Sequence, residues 1–341
     1  MSRGNFEIFQ MTRTRFRLSC FLLLAALALT SCLPAATLAI STPTATASPT
    51  ETLTPLPPTV TPTPLPAARR VLILSLDGMR PDAIAQAPMP KLTALMQNGA
   101  YSLTSQTIYP SGTLMAHASM LTGLCPAKHG VDWNYYNPIL GFAKGTDLFD
   151  LAHKVGMKTV MVVGKQKLVQ ITEPFSLDMF EYINDRGLVI AKYVVDEIIP
   201  QGFSVLFIHF PTPDWMGHEH GWMSWQYLDV LRQDDQALGI LLSALDNAGL
   251  RNDTLVIVTA DHGGHDHTNG SNLPEDMTIP WIISGPGVRP MTITNPVSTT
   301  DTAATAAWAL GLSIPPEWDG IPIYEVFGLP YQTRPDPRCS Y

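Results

Sequence analysis

Val71-Leu-Ile-Leu-Ser-Leu76 is apolar but for one serine, and no feature constrains this chain more. A strand that is apolar on both faces has to be buried on both faces. Similar runs occur at 159–163, 204–210, 255–260 and 281–284. Helical periodicity falls between them, at 89–97, 114–121, 148–155, 188–199, 227–247 and 302–310. Strands alternating with helices predict a largely parallel sheet with helices on both faces. Such sheets place their sites beyond the carboxyl ends of the strands. Asp77 follows the first run, the segment 211–220 the third, and Asp261-His262 the fourth, so the pattern predicts acids and imidazoles gathered on one edge. All nine histidines lie between His117 and His267, which suits one site better than scattered surface use.

The first 68 residues do not belong to that pattern. Arg13, Arg15 and Arg17 precede the apolar stretch 18–29, which suits a signal-peptide core and is too short to span a bilayer. Leu29-Thr30-Ser31-Cys32 resembles a bacterial lipobox, with Cys32 as the lipidated residue; the alternative is an ordinary cleaved signal with a chance cysteine. Residues 41–68 hold 8 Pro and 9 Thr with the single charge of Glu51, the composition of an extended tether rather than a core. The expected organisation is a signal segment at 1–32, a linker at 33–68 and one catalytic domain at 69–341. The expected location is the bacterial cell envelope, outside the cytoplasm and lipid-anchored, with no other membrane contact.

Charge narrows the function. The chain has 21 basic and 29 acidic residues; removing the 4 Arg and 2 Glu of residues 1–68 leaves 17 and 27, a net of −10. An acidic body argues against a nucleic-acid-binding surface. Four cysteines are too few for a disulfide scaffold; Cys125 and Cys339 are either a pair or, the reading favoured here, unpaired, with Cys125 a small buried residue.

Two motifs have the spacing of metal ligands. Asp214 and His218 are four apart, so on a helix they share a face and can reach one ion; an acid near a helix start with a surface histidine is the alternative. Asp261-His262-Gly-Gly-His265-Asp-His267 is denser, and Gly263 and Gly264 permit the backbone to turn. Carboxylates and imidazoles without thiolates suit zinc, with manganese or iron less so. Thr113 precedes the helical pattern at 114–121. It reads either as a helix cap or as a hydroxyl at an anion-binding helix start, where a neighbouring zinc makes it a nucleophile.

Taken in order, Leu74-Ser-Leu-Asp77-Gly-Met-Arg-Pro81, Thr113-Leu-Met-Ala-His117, Cys125-Pro-Ala-Lys-His129-Gly130, Asp214-Trp-Met-Gly-His218 and Asp261-His262-Gly-Gly resemble the alkaline phosphatase superfamily, in particular its type I phosphodiesterase/nucleotide pyrophosphatase branch. The resemblance covers about residues 70 to 325. It implies a three-layer αβα sandwich around a largely parallel sheet. It also implies a small phosphate ester as substrate, two zinc ions, and attack by Thr113 on phosphorus through a phospho-threonine. Asp77, Thr113, Asp261 and His262 would hold one ion, and Asp214 and His218 the other with a late histidine. The family slot for that histidine is Asn269 here, so His267 is the expected substitute ligand. His117, Thr122 and Gly123 are implied to support the nucleophile helix. Within the superfamily the alternatives are a phosphomonoesterase or a phosphonate hydrolase; outside it, a binding protein that has lost turnover.

Overall fold

Alternate side chains of Val71 to Leu76 enter two different cores. Val71 and Ile73 pack into one, Leu72, Leu74 and Leu76 into the other, and all five are at most 1% exposed. The strand is therefore central, with apolar cover on both faces, as its composition requires.

A computed structural model describes residues 67–333 and Cys339. The expected signal segment, the lipidation site Cys32 and nearly all of the linker lie outside the described residues. The strands are β1 (Arg70–Leu76), β2 (Ala100–Gln106), β3 (Thr159–Val163), β4 (Met179–Tyr182), β5 (Val205–Phe210), β6 (Thr254–Thr259), β7 (Thr278–Ser284) and β8 (Met291–Thr292). They form one sheet in the order β4-β3-β5-β1-β6-β7-β2-β8. The pairs β4–β3, β3–β5, β5–β1, β1–β6 and β2–β8 are parallel, while β7 is antiparallel to both its neighbours. The alkaline-phosphatase-like α/β sandwich follows, with β7 alone reversed.

Helices Thr113–Thr122, Leu148–Lys154 and Asp301–Ala309 cover one face; Pro90–Asn98, Gly187–Tyr193 and Trp225–Asn247 cover the other. The expected helical segments all form, within a few residues at their ends. The segment beginning at Gly187 passes into a π-helical turn, Val194–Ile198, before β5.

One expectation is corrected. Cys125 and Cys339, 214 residues apart, form a disulfide. It ties Cys339 to the start of the short helix Pro126–His129.

Candidate active site

The turn after β1 carries the first acid. Asp77 is fully buried, and Gly78 follows it with φ +73, a left-handed conformation that favours glycine. The Gly78 carbonyl accepts from the Trp222 indole and the Tyr227 hydroxyl, each at 2.9 Å, so the turn is fixed from the opposite wall.

The hydroxyl of Thr113 stands in the first turn of the helix Thr113–Thr122. That helix is buried along its length, and polar side chains hold it in place. His117 Nδ1 donates to the Thr113 carbonyl at 2.7 Å, and its Nε2 accepts from the Ser75 hydroxyl at 2.8 Å. Thr122 donates to the Ala118 carbonyl, and Gly123 closes the helix at φ +66. Burial holds His117 neutral, well below its usual pKa. The support role expected for these three residues follows from these bonds.

Asp261 and His262 follow β6. Asp261 Oδ1 accepts from the Gly78 and His262 amides at 3.1 and 3.0 Å. His262 Nδ1 donates to the Gly263 carbonyl at 2.7 Å, which turns Nε2 toward the acids. A histidine that donates its second nitrogen to a backbone carbonyl is oriented as a metal ligand. Gly263 and Gly264 serve close approach rather than a turn: a β-carbon on Gly263 would lie 2.0 Å from the Glu275 carbonyl oxygen, and one on Gly264 would lie 2.1 Å from the Trp222 ring.

These segments converge. One ligand atom from each of Asp77, Asp214 and His262 lies within 4.8 Å of the other two. His262 Nε2 is 3.4 Å from Asp77 Oδ1, 3.3 Å from Asp261 Oδ2 and 3.4 Å from the Thr113 hydroxyl. Asp77 Oδ1 and Asp261 Oδ2 are buried and have no hydrogen-bond partner among the described residues. Two bare carboxylate oxygens facing one imidazole nitrogen cost several kcal/mol per charge unless a cation meets them. The residues therefore fit a divalent ion, and the oxygen–nitrogen donor set is one that zinc accepts.

Asp214 and His218 lie on the helix Thr212–His220, with His218 Nε2 3.3 Å from Asp214 Oδ1. The late residues separate. His267 is exposed, and its Nδ1 bonds the His218 carbonyl at 3.1 Å. His265 pairs with Asp276 at 2.7 Å. Asn269 is the residue that reaches inward, its amide 3.0 Å from Asp214 Oδ1. The structure therefore brings Asn269, and not the imidazole of His267, to the acid cluster.

Three residues enter that the sequence did not single out. His209, in β5, places Nε2 2.8 Å from Asp77 Oδ2, while its Nδ1 accepts from the Gly164 amide. Lys165, just after β3, lies 2.7 Å from Asp77 Oδ2 and 2.5 Å from Asp214 Oδ2. Burial disfavours its charge, but Asp77, Asp214 and Asp261 outweigh that and raise its pKa above the ordinary lysine value. Burial likewise pushes Asp77 up, and Lys165 with His209 reverses this to hold it well below the usual carboxylate range. The third is Asn134, whose Oδ1 accepts from the Leu114 amide at 3.0 Å and from Lys167 at 2.8 Å. It sits over the start of the helix Thr113–Thr122.

Comparison with known proteins shows the family. The family model described as type I phosphodiesterase / nucleotide pyrophosphatase matches residues 71–175 and 169–276. A venom phosphodiesterase from Crotalus durissus collilineatus is 26% identical over 218 residues, covering 57% of this chain and 26% of the relative. Ectonucleotide pyrophosphatase/phosphodiesterase family member 1 from Homo sapiens is 25% identical over 217 residues, 56% of this chain and 23% of the relative. The chain thus spans about a quarter of the length of these relatives. Among solved structures, inactive murine ectonucleotide pyrophosphatase/phosphodiesterase 5 in complex with AMP superposes with a TM-score of 0.64 at 17% identity, covering 76% of this chain and 99% of that one. A phosphonate monoester hydrolase from Silicibacter pomeroyi gives 0.62 at 15% identity, with 78% of each chain covered. At those identities the likeness is one of fold.

Proposed function

The chain belongs to the type I phosphodiesterase/nucleotide pyrophosphatase family, and from that premise we propose that it hydrolyses phosphate esters, diesters in preference, with Thr113 as the attacking group. The observation that carries this reading is the Thr113 hydroxyl, at a helix start and 3.4 Å from the nitrogen of His262 that faces the uncovered oxygens of Asp77 and Asp261. Zinc is the ion proposed for Asp77, Asp261 and His262. When bound, it supplies positive charge that lowers the pKa of the threonine hydroxyl and offsets charge at phosphorus.

The protein's own groups account for the rest. His117, by bonding the Thr113 carbonyl, fixes the helix turn that aims the hydroxyl. The start of that helix, with Asn134 and Lys167 beside it, offers donors to the phosphoryl oxygens. The Thr113 hydroxyl gives up its proton as its oxygen bonds to phosphorus, and the bond to the leaving group breaks, the departing alkoxide taking up a proton. Water then attacks the same phosphorus, returning the threonine hydroxyl and releasing the phosphate product. The first turn continues with buried Leu114, Met115 and Ala116, and it presents no arginine to a dianion. The diester preference rests on the relatives, which are named as phosphodiesterases.

Location belongs to the same proposal: an extracytoplasmic enzyme tethered through Cys32. The disulfide between Cys125 and Cys339 supports an oxidising compartment. Turnover of bis(4-nitrophenyl) phosphate against 4-nitrophenyl phosphate tests the reading. Higher kcat/KM for the diester, lost on chelation, is expected; a preference for the monoester, or turnover with metal absent by elemental analysis, contradicts it.

A further inference from the structure

The two oxygens of Asp214 differ from those of Asp77 and Asp261. Asp77 and Asp261 each keep one buried oxygen without a partner, whereas both oxygens of Asp214 are engaged. Lys165 Nζ lies 2.5 Å from Oδ2; the Asn269 amide lies 3.0 Å from Oδ1, with His218 Nε2 at 3.3 Å. The same ammonium reaches Asp77 Oδ2 at 2.7 Å and the Thr113 hydroxyl at 3.4 Å. It thus stands between the two acids and beside the attacking oxygen. His267, the nearest substitute ligand by sequence, is turned to the His218 carbonyl.

Charge supports the same reading. Asp77, Asp214 and Asp261 contribute −3 and Lys165 +1, leaving −2. One divalent ion neutralises that charge before substrate enters. A fixed ammonium costs no metal to recruit, and as a point charge it serves beside a phosphate.

We propose that Lys165 takes the place of the second cation: the site binds one divalent ion, at Asp77, Asp261 and His262, and the Lys165 ammonium, held by Asp214, supplies the second positive charge beside Thr113. The proposal rests on the metal-dependent reading above and puts a side chain in place of the second ion that the family resemblance implies.

The full chain, stripped with chelator and equilibrated with zinc alone, should hold one ion per chain by elemental analysis. Lys165→Ala combined with Asn269→His removes the ammonium and restores an imidazole at the slot that faces Asp214; this double variant should take up a second ion. Lys165→Met should still bind one ion and lose at least about 100-fold in kcat, as when a single group that stabilises transition-state charge is removed. Two ions in the parent, equal stoichiometry of one in parent and double variant, or undiminished turnover in Lys165→Met would each overturn the assignment. No ion in the folded parent would overturn the metal-dependent reading as well. The parent measurement needs no variant, and circular dichroism confirms folding in the other two.

Discussion

His209 Nε2 lies 2.8 Å from Asp77 Oδ2, and both residues are completely buried. Because the Gly164 amide donates to Nδ1, the proton sits on Nε2 and the ring donates to the acid. This leaves Asp77 Oδ1 as the free oxygen facing His262. His209 is thus a positioning residue. Its loss should weaken zinc affinity about 10- to 100-fold, the usual cost of removing a group that orients a ligand. His209→Ala should show that loss in a competition titration against a zinc-binding dye, and His209→Gln, which keeps a donor near the same place, should recover part of it. Equal affinity in all three proteins would show that Asp77 needs no such partner.

Thr113→Ala should reduce turnover at least about 1,000-fold, since it removes the proposed nucleophile while the helix remains held by His117 and Thr122. Thr113→Ser should retain a measurable fraction. Initial rates on bis(4-nitrophenyl) phosphate with thermal unfolding as a control decide it; more than a few per cent of activity in the alanine variant would exclude the covalent route.

Asp147 caps the helix Leu148–Lys154, and burial, with the charge of Asp150 beside it, raises its carboxyl to about 7. The folded protein therefore holds this proton more tightly than the unfolded chain, whose value is about 3.9. The linked stability is complete below pH 4 and is lost as pH rises through 7. Asp147→Asn keeps a cap that accepts from the Asp150 amide and removes the ionisation. It should leave stability at pH 4 nearly unchanged and raise it at pH 8, by up to about 4 kcal/mol for a shift of roughly three units. Denaturant midpoints across pH 4–8 read this out; parallel profiles for the two proteins would mean that Asp147 is ionised in the fold.

The layout of the sheet was legible where composition is forced. β1, β3, β5 and β6 read directly from apolar runs because they are buried on both faces. β2, with Ser102, Thr104 and Ser105, shows no such run, and β4 is a half-buried edge strand, so neither stands out. The reversal of β7 depends on the path of the chain after Gly270, which periodicity does not encode. Asp77, Thr113, Asp214, Asp261 and His262 were legible because each follows or begins an element at the carboxyl edge. The same rule, applied to β3, points to Lys165. His209 was hidden inside an apolar strand, although a lone imidazole in such a run needs a buried partner and is itself a signal. The pairing of Cys125 with Cys339 depends on where the C-terminal segment returns, which no local pattern specifies.

The central claim is that Thr113 attacks phosphorus and water then completes the reaction. Each in-line displacement inverts phosphorus, so two displacements restore it. The most direct test is the stereochemical course of hydrolysis of an isotopically chiral phosphodiester by the full chain. Net retention of configuration is the predicted result; net inversion, meaning a single direct attack by water, would contradict it.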